Sequence, residues 1–168
     1  FVNKMDRVGA SFQRTIDSIT HRLKASPVAI QIPVGEEKSF RGVVDLIEEK
    51  ALIYSDDSTS MPFEGPVPEE LLEEFRAYRE LMVEKIAETD EELIVKYVDE
   101  RAITKDEIKR ALRRATIDYR LVPVTCGSAL LSRGIQPLLD AVCAYLPSPV
   151  DVPPVKGKAL GTGEELER

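Results

Sequence analysis

The chain carries one local order twice, near its two ends. The apolar pair Phe1 and Val2 runs into the polar turn "NKMD" and then into an amphipathic helix. More than a hundred positions later, "RLVPVTC" runs into the small-residue turn "CGSAL" and then into a second apolar helical stripe. Strand, turn and helix in that order, repeated, predict neighbouring elements of a parallel α/β sheet, whose ligands sit beyond the carboxyl ends of the strands. Such a sheet draws the two turns together although the sequence holds them far apart.

In the first helix Phe12, Ile16, Ile19 and Leu23 recur at spacings of four, three and four. They form one stripe, with Ser11 as its cap and Pro27 ending it. His21 falls off the stripe and reads as a surface residue rather than a catalyst. The last helix carries Ile135, Leu138, Leu139, Val142 and Leu146, with Pro137 near its first turn, where a missing amide proton is harmless.

Between these units the pattern changes. Val28, Ile30 and Ile32 alternate with Ala29, Gln31 and Pro33, and "FRGVVDLI" and "KALIYS" add β-branched and aromatic residues, so short antiparallel strands are expected. "SDDSTSMPFEGPVP" reads as a long surface loop. After Pro68 the period becomes helical through Leu71, Leu72, Phe75, Tyr78, Met82 and Ile86. Capping boxes at Thr89 with Glu92 and at Thr104 with Glu107 announce two shorter helices, the second leading into Ile108, Ala111, Leu112 and Ala115. The middle therefore looks inserted. The expected class is α/β: a parallel sheet in residues 1–26 and 118–149, interrupted by an α+β subdomain in 27–117 whose small antiparallel sheet packs on helices. Residues 150–168, beginning in the proline-rich "LPSPVDVPPV", read as an extended linker and the start of a further element.

Charge adds a second asymmetry. Of a formal net charge of −7, the stretch from Glu64 to Glu100 holds 13 acidic residues against four basic ones (Arg76, Arg79, Lys85, Lys96), a local −9 that leaves +2 elsewhere. That face repels phosphate backbones and attracts basic partners, so direct sequence-specific nucleic-acid binding is not expected; its bland reading is a solvated helix surface. Cys126 and Cys143 lack C-x-x-C spacing and the chain has one histidine, so no zinc site is expected and both thiols read as buried small hydrophobes. No run of about 18 apolar residues and no secretory pattern occurs, which argues against a membrane-spanning helix and for a cytoplasmic location.

The two turns carry the chemistry. A guanine edge presents an N1 proton and an N2 amine side by side, and a carboxylate such as Asp6 accepts both in parallel; adenine lacks that pair. Asn3 can bond the base and tie the loops together, while the methylene stem of Lys4 can lie along the ring face. In the second turn the Ala129 amide can donate to guanine O6, with Ser128 bracing the loop. Alone, N-K-x-D is equally a polar turn with an acid near a helix start. Two such turns in order, each after a strand and before a helix, match the guanine-recognition elements of a GTP-binding domain far more specifically.

"NKMDRVGASF", "GEEKSFRGVVDLIEEKAL" and "CGSALLSRGIQPLLDAVCAYLPSPVDVP" resemble the elongation factor G family of bacterial and organellar translation factors, over essentially all 168 residues. The resemblance implies the carboxyl-terminal part of a P-loop GTPase-type domain, its inserted subdomain and a linker into a β-barrel domain. It assigns base binding to Asn3, Lys4, Asp6, Ser128 and Ala129, and it implies GTP or GDP with magnesium in the parent protein. The ribosome is the implied partner, met partly through the stalk protein at the acidic subdomain, and the implied activity is GTP-driven tRNA–mRNA translocation. The family often continues the second loop with Phe, Lys, Asn and Lys before Gly. Here Leu130, Leu131, Ser132 and Arg133 stand there, and no family role carries onto them.

No G-x-x-x-x-G-K-S/T string occurs, and "KGKAL" lacks both the hydroxyl and the glycine spacing. "DRVG" formally satisfies the D-x-x-G of a magnesium loop, but its acid is Asp6, already assigned to the base. No catalytic residue and no metal ligand is therefore expected in this sequence, which should neither hydrolyse GTP nor hold it tightly. Two other readings stand beside this one. The chain can be a non-catalytic docking module whose acidic helices, from about Pro68 to Glu100, bind the stalk protein, or part of a related translational GTPase such as a release-factor-recycling factor.

Overall fold

The computed structural model describes residues 1–55, 61–151, 156–158 and 165–167. In chain order they form α1 (Phe12–Leu23), β1 (Pro27–Ala29), β2 (Gln31–Val34), β3 (Gly42–Asp45), β4 (Lys50–Ile53), β5 (Phe63–Gly65), α2 (Leu72–Ala87), α3 (Glu91–Val98), α4 (Lys105–Ile117), β6 (Val122–Val124), α5 (Ile135–Tyr145), β7 (Lys156–Lys158) and β8 (Glu165–Glu167). The expected α/β class holds, with a parallel sheet and a separate antiparallel one.

β1 pairs in parallel with β6, Val28 opposite Pro123, and Val2 continues the parallel pairing on the other side through a bridge to Cys126. The Val2 amide donates to the Thr125 carbonyl at 2.8 Å and the Gly127 amide to the Val2 carbonyl at 3.0 Å, so the strand end before "NKMD" lies beside the strand end before "CGSAL". The antiparallel sheet runs β2-β3-β4-β5. The stretch Val28 to Val34, expected to be antiparallel throughout, instead divides: Pro27–Ala29 joins β6 in the parallel sheet and only Gln31–Val34 enters the antiparallel one. The joint is Ile30, whose amide donates to Val124 in the parallel sheet while its carbonyl accepts from Leu46 beside the antiparallel one, both at 3.0 Å.

α1 forms as its stripe predicts. Ser11 accepts from the Arg14 amide at 3.3 Å, Phe12 is buried, and Lys24 closes the helix in the left-handed region at φ 54°. Ile16 and Ile19 pack against the core, whereas Leu23 is exposed past the last contact. α4 starts with the reciprocal box expected of it: Thr104 accepts from the Glu107 amide at 3.3 Å and its own amide donates to the Glu107 carboxylate at 2.9 Å. Its buried face, Ile108, Ala111, Leu112 and Ala115, meets α2 and α5. Burying Ile108 and Leu112 contributes roughly 1.5–3 kcal/mol apiece before the entropy of ordering is set against it.

Three further expectations are corrected. The cap of α3 is Asp90 and not Thr89: its carboxylate accepts from the Glu92 and Leu93 amides at 3.0 and 3.1 Å, a charged acceptor at the positive end of a helix. The Thr89 hydroxyl instead donates back to Ile86 at 2.7 Å, closing α2. The turn-rich stretch after Ser55 contains β5, fixed by pairing with β4 and by the Lys50–Glu64 ion pair at 2.7 Å; residues 56–60 of that stretch lie outside the described residues. Cys126 is buried as expected, but Cys143 is exposed. It lies on the side of α5 that also exposes Leu139, Val142 and Leu146, because α4 covers the helix on its other side. Of the linker and start of a further element expected in residues 150–168, residues 152–155, 159–164 and 168 lie outside the described residues, and β7 and β8 pair antiparallel.

Candidate functional site

The "NKMD" turn leaves the parallel sheet in a sharp bend, with Lys4 in the left-handed region at φ 67°. Met5 is buried beneath the bend, and its amide donates to the Gly127 carbonyl at 3.1 Å, so the floor of one loop is hydrogen-bonded to the start of the other. Above that floor the Asn3 side-chain oxygen accepts twice, from the Lys4 amide at 2.8 Å and from the Ala129 amide at 3.0 Å. Asn3 therefore joins the two turns, and the Ala129 amide expected to face a ligand already has a partner. Reading a carbonyl with that amide requires either a three-centre bond or rotation of the Asn3 side chain.

Asp6 lies in the same turn with its side chain 13% exposed, its Oδ2 3.7 Å from the Arg7 guanidinium. Its Oδ1 is buried and has no hydrogen-bond partner. A carboxylate oxygen left so costs about 1–3 kcal/mol or more. One N–H donor relieves it, and two donors side by side, as a guanine edge presents them, would engage Oδ1 and Oδ2 together once Oδ1 is uncovered. Lys4 is exposed. Ser128 is fully buried, and its hydroxyl accepts from the Leu131 amide at 3.3 Å, closing the second loop on itself. A two-way backbone bridge between Ser128 and Arg133, at 2.9 and 3.0 Å, completes that closure.

Glycine fixes the loop's return. Gly134 precedes α5 at φ 82°, and a Cβ built there comes within 2.5 Å of the Cys126 carbonyl oxygen. The thiol of Cys126, fully buried beneath, is pushed well up by burial and is chemically quiet.

Two residues that sequence reasoning passed over hold these loops from outside. The Glu37 carboxylate accepts from the Gly9 amide at 2.7 Å, and the Arg133 guanidinium donates to the Phe40 carbonyl. The only sequence signal for either is the departure from the family pattern at Arg133. Open recesses lie elsewhere, one of about 350 Å³ between the antiparallel sheet and α5, bordered by Gln31, Asp45, Lys50 and Tyr145. A groove beside Asn3 and Lys4 includes neither Asp6 nor Ala129. Among the described residues no cluster of three or more His, Cys, Asp or Glu side chains is arranged to hold a metal ion, and no helix is long and apolar enough to cross a membrane.

Two loops at the carboxyl ends of adjacent parallel strands, bridged by an asparagine and flanked by an orphaned carboxylate oxygen, define an α/β domain of the ligand-at-the-strand-ends type. The chain belongs to the family described as the elongation factor Tu GTP binding domain, whose model matches residues 1–148. It is 51% identical along all 168 residues to elongation factor G from Thermotoga neapolitana, and equally so to those of Thermotoga petrophila and Thermotoga maritima. It spans 24% of the length of each. A crystal structure of a protein from Thermus thermophilus superposes with a TM-score of 0.78 at 29% identity, covering 91% of this chain and 23% of that one.

Proposed function

We propose that this chain is the base-reading part of a translational GTPase and carries, within residues 27–117 and after β1, an inserted block that docks a basic partner. The observation supporting it best is the buried, unpartnered Oδ1 of Asp6 beside the turn that Asn3 ties to Ala129. Asp6 accepts the N1 and N2 protons of guanine, Asn3 sets the spacing of the two loops, the stem of Lys4 covers the ring, and Ser128 shapes the loop that presents the Ala129 amide to O6. The parent activity we infer from the relatives is ribosome-dependent GTP hydrolysis coupled to tRNA–mRNA movement in the cytoplasm. The phosphate cradle and the magnesium ligands are assigned to residues other than those of this chain. Backbone amide spectra recorded with millimolar GDP and with millimolar ADP test the base assignment. Shifts at Asp6, Ser128 and Ala129 with GDP alone are expected, and equal or absent responses to both nucleotides refute it. No phosphate release from GTP above the buffer rate is expected.

A second reading is favoured by the surface of α2 and α3. These two helices carry Glu73, Glu74, Glu80, Glu84, Glu91 and Glu92 and also expose Leu81, Val95 and Val98. We infer that this face meets the ribosomal stalk protein, with opposite charge speeding the encounter. Titration with the stalk protein's carboxyl-terminal domain should show binding that weakens as salt rises; an unperturbed spectrum at both low and high salt excludes it.

A further inference from the structure

Both turns of the candidate base site are fastened to one short piece of the inserted block, the β2–β3 connection at residues 35–41. Glu37 reaches the first turn through the Gly9 amide at 2.7 Å, three residues past Asp6. Arg133 reaches back from the second loop to the Phe40 carbonyl, four residues past Ala129. The connection is built to be stiff. The Phe40 side chain is 1% exposed and anchors it in the core. The Ser39 hydroxyl donates to the Glu36 carbonyl at 2.7 Å and accepts from the Glu36 amide at 3.0 Å, and the Arg41 amide donates to the Val34 carbonyl at 2.9 Å. Gly35, at φ 79°, lets the chain turn so closely that a Cβ there would lie 2.3 Å from the Ser39 carbonyl oxygen.

We propose that residues 35–41 form a brace that sets the separation of the two base-reading loops, with Glu37 and Arg133 as positioning residues for guanine recognition. The inference rests on the guanine reading above. Neither residue touches the base. Each acts through the loop it holds: Glu37 fixes the path from Asp6 into α1, where the Arg14 guanidinium also holds the Gly9 carbonyl at 2.6 Å, and Arg133 fixes the loop carrying Ala129. A carboxylate that must meet two donors at once tolerates little displacement, so loosening either loop should cost the N2 contact first. The brace also gives the inserted block a direct mechanical hold on the nucleotide loops.

The test compares GDP with IDP, which lacks the N2 amine, on the full 168-residue chain by amide-shift titration, with thermal unfolding recorded alongside. Glu37→Ala and Arg133→Ala should weaken GDP binding about two- to tenfold, the loss expected of an ordinary net hydrogen bond rather than of a buried charged one. The preference for GDP over IDP should narrow, and Arg133→Lys should restore most of it. If either alanine variant does not fold, Glu37→Gln and Arg133→Lys replace them and should show smaller losses of the same preference. A lowered melting temperature with the GDP-to-IDP ratio unchanged, or no change in affinity, overturns the brace and leaves the guanine reading standing. No guanine-specific shift in the unsubstituted chain overturns both.

Discussion

Asn3 and Ala129 stand 126 positions apart in sequence and are joined by one hydrogen bond, the Ala129 amide donating to the Asn3 side-chain oxygen at 3.0 Å. The same oxygen accepts from the Lys4 amide, so a single side chain sets both the bend of its own turn and the distance to the other. Asn3→Ala leaves two amides without that acceptor. Because the site is exposed, water takes up part of the loss, and about 1 kcal/mol of stability should go. Hydrogen exchange at Lys4 and Ala129 should quicken while exchange in α4 stays slow.

Asp6 offers acceptors only, and Asp6→Asn replaces one of them with a donor. Xanthine carries a carbonyl at C2 where guanine carries an amine. The substituted chain should therefore lose its response to GDP and gain one to XDP, read in the amide shifts of the second loop. An unaltered nucleotide preference would remove Asp6 from base recognition.

Glu107 gives a pH signature. The Lys96 ammonium, and then the amide and hydroxyl of Thr104, hold its carboxyl down at about 2, below its ordinary 4.5. A carboxylate depressed on folding stabilises the native state above its unfolded pKa and stops doing so as pH falls through the folded one. Glu107→Gln keeps an oxygen for the cap but loses the ion pair. The melting temperatures of the two proteins should differ near neutrality and converge between pH 4.5 and about 2, followed by circular dichroism.

Much of this was legible in the sequence, for physical reasons that also explain the misses. The stripe of Phe12, Ile16 and Ile19 and the Thr104–Glu107 box are local, needing only neighbours three or four residues away, and both form. At the start of α3 the capping-box spacing pointed to Thr89, but the Asp90 carboxylate beside it reaches two amides and takes the cap. β5 is invisible locally because Phe63 to Gly65 becomes a strand through its pairing with β4. Of the site, residue type and order pointed to Asn3, Lys4, Asp6, Ser128 and Ala129. Nothing local pointed to Glu37, whose contact with Gly9 spans 28 positions, and for Arg133, which reaches across 93, the departure from the family pattern was the one signal.

Gly134→Ala tests the return of the second loop. The added methyl meets the Cys126 carbonyl and must adopt a positive φ, a combination that should cost about 1–3 kcal/mol. Urea unfolding should show a lower midpoint with an unchanged slope, since the compactness of the folded state is not altered.

Ile30 divides its two backbone hydrogen bonds between two sheets, with no loop between them to absorb displacement. Tension applied to the antiparallel sheet would thus pass along the covalent chain into β1 and load the β1–β6 ladder in shear. A partner tugging on the inserted block would be felt at the strand ends as a change in alignment, the way a lever transmits through its fulcrum.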